Sequence, residues 1–202
     1  RFDPDATPDA PKGAAASGTA EETVADAVES VPLPAPDKVT LADEEDVIVY
    51  REFVTESLEH IEVLEVQVIE LEKDPGDADI INGIFRPIHS IKGAAGFLGL
   101  STTNMLCHEL ETLLDKGRKL SLAIDQQVID VILASIDVVK RLIHNLSHLI
   151  EAAVQKGPDP DLPPVDIRPQ ILAIRAILEQ PAGRPSTGDD GPDPNRLGGR
   201  LV

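Results

Sequence analysis

Proline divides this chain of 202 residues into three parts and so decides where long helices can form. Six prolines fall in residues 1–46 and nine in residues 157–202, while the 110 positions between them hold only Pro75 and Pro87. Inside a helix, proline removes a hydrogen bond and its ring clashes with the preceding turn, so an extended helical core is confined to the middle. That middle is long enough to bury a core of its own. Aromatic residues make up only 2% of the chain and tryptophan is absent, which leaves Leu, Ile, Val and Ala to fill the interior. Such a composition suits packed helices.

The apolar spacing supports this at each step. Val47, Tyr50, Val54, Leu58, Ile61, Leu64, Val68 and Leu71 keep steps of three and four, predicting a helix that opens on the acidic run Asp43 to Asp46 and ends at Asp74-Pro75-Gly76. A second helix begins near Asp77 and carries Ile81, Ile84, Ile88, Ile91, Ala95 and Leu98 to about Phe97, with Pro87 expected to kink it modestly. Gly99 closes it, and Ser101 is placed to cap a third helix bearing Leu106, Leu110, Leu113 and Leu114. Asp125 opens a fourth, carried by Val128, Val131, Ile132, Val139, Leu142, Leu146 and Leu149 to Lys156. After the stiff Pro163-Pro164 spacer, a short fifth helix is predicted over about residues 168–180, with Ile171, Leu172, Ile174, Ile177 and Leu178 as docking residues.

The expected architecture is all-α, an antiparallel up-and-down four-helix bundle with a short fifth helix. Residues 1–42 read as a disordered acidic segment, 43–156 as the bundle, 157–180 as the spacer and fifth helix, and 181–202 as a Pro- and Gly-rich linker.

Charge narrows the partners. The formal net charge is -18, and the first 46 residues hold 12 acidic and 3 basic side chains. A balance of this kind repels nucleic acid and anionic membrane. No secretory signal stands at Arg1, and no apolar run reaches the roughly 18 residues that a spanning helix needs. A single cysteine, Cys107, cannot form an internal disulfide and reads as a small buried packing residue. A cytoplasmic setting is therefore expected, with neither nucleic acid nor membrane insertion.

The second helix carries the most distinctive chemistry. His89 follows the core position Ile88, so at roughly 100° per residue it turns off the buried stripe toward solvent. Gly93 and Gly96 lie on its side of the helix, and each costs about 1 kcal/mol relative to alanine, so they call for a reason beyond helix stability. Close approach of a visitor is one reason and close helix packing is the other. Lys92 stands one turn from His89 and can meet an anion arriving at the ring. Imidazole, with a reference pKa of about 6.5, keeps a free lone pair near neutral pH and can attack phosphorus. Directed attack needs an acceptor for the proton on the other ring nitrogen. His108, Glu111 and Asp115 share one face of the third helix and offer that acceptor.

The segment His89-Ser90-Ile91-Lys92-Gly93-Ala94-Ala95-Gly96-Phe97-Leu98-Gly99 resembles the signature of histidine-containing phosphotransfer domains, specifically those of CheA-type chemotaxis histidine kinases. Leu106-Cys107-His108-Glu109-Leu110-Glu111-Thr112-Leu113-Leu114-Asp115 resembles the following helix of that family. The resemblance implies that His89 takes a phosphoryl group on its outward nitrogen, that Glu111 holds the other nitrogen, and that Lys92 and His108 tune the surroundings. It also implies two partners, an ATP-binding kinase domain as donor and the receiver domain of a response regulator as acceptor. This sequence has no glycine-rich nucleotide motif after a strand, so no ATP binding is expected of it alone. No cofactor or metal is expected. The terminal Leu197-Gly198-Gly199-Arg200-Leu201-Val202 resembles a linker segment of some such kinases, which suggests an amino-terminal piece of a longer kinase.

Two other classes compete. One is a metal- or haem-binding helical bundle using several of the five histidines; of these His144 and His148, spaced i and i+4, could present two ligands to zinc, although no third ligand follows at a convincing spacing. A purely structural adaptor bundle is the other. His60 suggests no function.

Overall fold

The computed structural model describes residues 31–34, 37, 39–41, 43–156 and 164–180, and within these it contains five helices and no strand. They are α1 (Glu44–Lys73), α2 (Ala78–Phe97), α3 (Ser101–Arg118), α4 (Gln126–Lys156) and α5 (Arg168–Glu179). Helix α1 packs on α2 and α4, α2 on α3, and α3 on α4, so that α1 and α3 stand diagonally, as do α2 and α4. None of these helices is long and apolar enough to cross a membrane.

Local chemistry sets the helix ends. Asp43 caps α1 by accepting from the amide of Asp46 at 3.0 Å, and Asp77 caps α2 by accepting from Asp79 at 2.7 Å and Ile80 at 3.3 Å. Helix α2 runs unbroken through Pro87, which is buried. It stops where Gly99 adopts a φ of +70°. Leu100 then donates to the Ala95 carbonyl at 2.9 Å and Gly99 to that of Gly96 at 3.3 Å, a reversal that satisfies two carbonyls at the helix end. This turn delivers α3 antiparallel to the site-bearing half of α2.

The start of α3 departs from expectation. Ser101 is its first residue rather than its cap, and Leu100 before it has no capping side chain. The cap comes instead from Asp37, whose carboxylate accepts from the amide of Ser101 at 2.7 Å and from that of Thr102 at 3.3 Å. Around it Val31 is buried, and Val39 and Leu41 pack against the core. The described part of residues 1–42 is thus a strap held to the bundle, because a helix amino terminus attracts a carboxylate and a few apolar side chains secure it. Residues 1–30, 157–163 and 181–202, including the terminal linker-like segment, lie outside the described residues.

The core is aliphatic, as the composition requires. Ile61, Leu64, Val68 and Leu71 of α1 meet Ile84, Ile88 and Ile91 of α2 and Leu106, Leu110, Leu113 and Leu114 of α3. Helix α4 buries a broader face than its spacing suggests, adding Ile129, Ser135, Ile136, Val138, Ile143 and Ile150, because it packs on three neighbours. The third neighbour is α5. Ile171, Ile174 and Ile177 are buried where α5 docks on α3 and α4, and Arg175 Nη2 meets Glu109 of α3 at 2.6 Å. Cys107 is fully buried, and burial, with the charge of Glu111 adding, pushes its thiol up to about 12.

Asp37→Ala should lower stability by about 1 kcal/mol, the usual worth of an amino-terminal cap. Urea unfolding would show a lower midpoint, an unchanged slope and intact helical circular dichroism.

Candidate functional site

The site lies where the second half of α2 runs beside the middle of α3. Ile84, Ile88, Ile91 and Ala95 anchor α2 in the core, and this fixes the outward direction of the residues between them. The His89 side chain is 61% exposed, while that of Glu111 on α3 is only 16% exposed. Nδ1 of His89 lies 2.6 Å from Oε1 of Glu111. Nζ of Lys92, one turn along α2, donates to Oε2 of the same carboxylate. One carboxylate therefore holds both cationic-type groups.

Burial raises the pKa of Glu111, but the hydrogen bonds from Lys92 and His89 outweigh it and hold the group below its ordinary value of 4.5. An ionised carboxylate can only accept, so Nδ1 carries the proton, and in the neutral tautomer this leaves the lone pair on Nε2. In that tautomer the nucleophilic nitrogen faces away from α3. Charge gained at Nε2 is offset by the carboxylate at the opposite side of the ring.

The two glycines differ, and only Gly96 is required by its neighbours. A Cβ on Gly93 would meet nothing within 4 Å, so that position is open surface beside His89. A Cβ on Gly96 would stand 2.9 Å from Nδ2 of Asn104. Asn104 uses that approach to donate to the Lys92 carbonyl at 2.8 Å, tying α3 to α2. Gly96 thus serves helix packing, and Asn104 is a site residue the sequence did not single out. Its position seven residues before Glu111, two turns on the same face, was the available signal.

Other expectations separate at this point. Asp115 does not reach the histidine, since its carboxylate takes Arg118 Nη2 and Lys119 Nζ, each at 2.6 Å. His108 is exposed and, among the described residues, forms no side-chain hydrogen bond or ion pair that would join it to the centre. His144 and His148 are exposed on α4, and His60 pairs with Glu56 at 3.6 Å. Among the described residues no three of His, Cys, Asp and Glu gather as a metal-ligand set. Phe85, one turn before His89, stacks with it at 6.0 Å between ring centroids.

Residues 49–155 match the Hpt domain family. The chain belongs to that family. The Hpt domain so defined covers α1 to α4 and contains His89, Lys92 and Glu111. Within the family its kinship is with CheA-type kinases. It is 39% identical over 95 residues to the sensor histidine kinase CheAY of Helicobacter pylori, and 30% identical over 113 residues to the chemotaxis protein CheA of Treponema pallidum. Those alignments take in 47% and 56% of this chain but only 12% and 14% of the relatives, so the chain spans a small part of their length. The fold resembles that of the phosphorylated P1 domain of CheA3 from R. sphaeroides, solved in complex with CheY6. Here the TM-score is 0.53 at 18% identity, covering 64% of this chain and 94% of that one.

The lowered pKa of Glu111 carries a pH signature. A carboxylate depressed in the folded state contributes stability that is complete above its unfolded pKa, about 4.3, and is lost as pH falls through the lower folded value. Glu111→Gln should therefore be less stable than wild type at neutral pH. The difference should shrink below about pH 4.3 as the wild-type carboxyl protonates, which chemical unfolding across pH 2–7 would check.

Proposed function

We propose that His89 is the phosphoacceptor of this Hpt domain and that it passes its phosphoryl group to an aspartate of a response-regulator receiver domain. The observation that carries this is the 2.6 Å contact of His89 Nδ1 with Glu111 on a side chain that is otherwise largely exposed. It supplies a lone pair at Nε2, a fixed tautomer and open access together. In the loading step the Nε2 lone pair forms a bond to the γ-phosphorus of ATP held by a separate kinase domain. The bond from that phosphorus to the bridging oxygen breaks, and ADP leaves with its electrons. In the unloading step a carboxylate oxygen of the receiver aspartate attacks the same phosphorus, and the N–P pair returns to the ring. Glu111 offsets the ring's positive charge in between, and Lys92, one turn away, attracts the phosphoryl oxygens. A donor of this kind belongs in the cytoplasm.

Access also favours this reading. Gly93 leaves open space beside His89, and Phe97, 87% exposed, stands further along α2. Eight residues of helix span roughly 12 Å. A partner that covers about 800 Å² around His89 would therefore bury Phe97 as well. Val63, Val66 and Ile69 add exposed apolar surface on neighbouring α1. The docking face is the outward side of α1 and α2.

The test uses the chain with the ATP-binding part of a chemotaxis-type kinase and γ-labelled ATP. Wild type should gain acid-labile, base-stable label and His89→Gln none. Stoichiometric labelling of His89→Gln would overturn the assignment. Phe97→Ala should still be labelled but should bind a cognate receiver about tenfold more weakly, as measured by titration calorimetry.

A further inference from the structure

Glu111 fixes one point of the His89 ring, and one point does not fix a plane. A ring held only through Nδ1···Oε1 can still rock about that contact, carrying Nε2 off line. The second constraint comes from α2 itself. Phe85 lies one turn before His89, and their rings are nearly parallel, 13° between planes and 6.0 Å between centroids. Phe85 is packed against the core, so its own ring is not free to turn. On Phe85 lies the guanidinium of Arg118, its central carbon 4.4 Å from the ring centroid. Arg118 is held in turn by Asp115, Nη2 to Oδ1 at 2.6 Å, and Asp115 also binds Lys119.

We infer that Phe85 is a positioning residue for His89, setting the plane of the imidazole as Glu111 sets its tautomer, and that Arg118 and Asp115 on α3 hold Phe85 in place. This rests on His89 being the phosphoacceptor. Offset stacking of aromatic rings favours a definite relative orientation. When the N–P bond forms, the imidazole gains positive charge, and a neighbouring aromatic ring within about 6 Å attracts a cation. Arg118 would oppose that gain if its charge stood alone. Asp115 balances it, so the ring of Phe85 stays favourable to a charged neighbour. Helix α3 thus acts on His89 twice, directly through Glu111 and through Phe85 by way of its last turn. Asp115, which sequence spacing groups with Glu111, acts on the imidazole only through Arg118 and Phe85.

The experiment compares wild type, Phe85→Leu, Phe85→Tyr and Arg118→Gln in the full chain. Initial labelling by the kinase domain gives the rate, and ¹⁵N spectra of the histidine rings give the tautomer ratio at His89. Phe85→Leu should slow labelling about fivefold and lower the fraction protonated at Nδ1, with helix content unchanged. Phe85→Tyr, which keeps the ring, should restore both. Arg118→Gln should slow labelling about twofold, and as a partly exposed surface change it leaves the core intact. Wild-type rate and tautomer ratio in both Phe85→Leu and Arg118→Gln would overturn the inference, as would a Phe85→Tyr variant as slow as Phe85→Leu. If wild type itself takes no label, the phosphoacceptor assignment falls, and the tautomer ratios alone still decide whether Phe85 orients the ring.

Discussion

The sharing of one carboxylate between two neighbouring side chains of α2 is the interaction on which the site depends. Glu111 can hold His89 Nδ1 on one oxygen and Lys92 Nζ on the other only if α3 lies at one height against α2. A slip of one helical turn would move the carboxylate by about 5.4 Å and lose both contacts. The reversal at Gly99, the Asn104 bond to the Lys92 carbonyl and the interlocked aliphatic faces all fix that height. Packing and chemistry are therefore coupled through register.

The ion pair of Lys92 with Glu111 positions the site more than it stabilises the fold, and the stability it adds is modest. Both side chains are partly shielded, and such pairs give back in desolvation much of what they gain in attraction. Their effect here is on the carboxylate's proton, which they expel, and hence on the imidazole tautomer. A protonated Glu111 could itself donate and would allow the reverse arrangement at His89, with the lone pair turned inward. Glu111, held below its ordinary value by Lys92 and His89 against the effect of its burial, does not populate that state near neutral pH.

Much of this was legible in the sequence, because helices announce themselves through spacing. The stripe from Ile81 to Ala95 predicts both the buried face of α2 and the outward turn of His89, and the shared face of His108, Glu111 and Asp115 on α3 offers an acceptor, which only the family resemblance narrows to Glu111. What escaped has a common physical cause: contacts between segments distant in the chain leave no periodic trace. Asp37 caps α3 across 64 positions, and its surrounding segment is too proline-rich and acidic to read as ordered. Asp115 shares a face with Glu111, yet the cations of its own last turn are nearer than the histidine. Ser101 has the right side chain for a cap but begins the helix one position too late to act as one. His108 has the spacing for the centre and the exposure of a surface residue.

Cys107 offers a consequence of a different kind. Its thiol faces the interior of the bundle from α3, four residues before Glu111, with no accessible surface and little tendency to ionise. Alkylating reagents react with the thiolate, so modification there must wait for the helix to lift from the bundle. The single sulfur atom of this cysteine therefore serves as a clock for opening motions of the helix that orients the imidazole, and one that can be read without altering any residue.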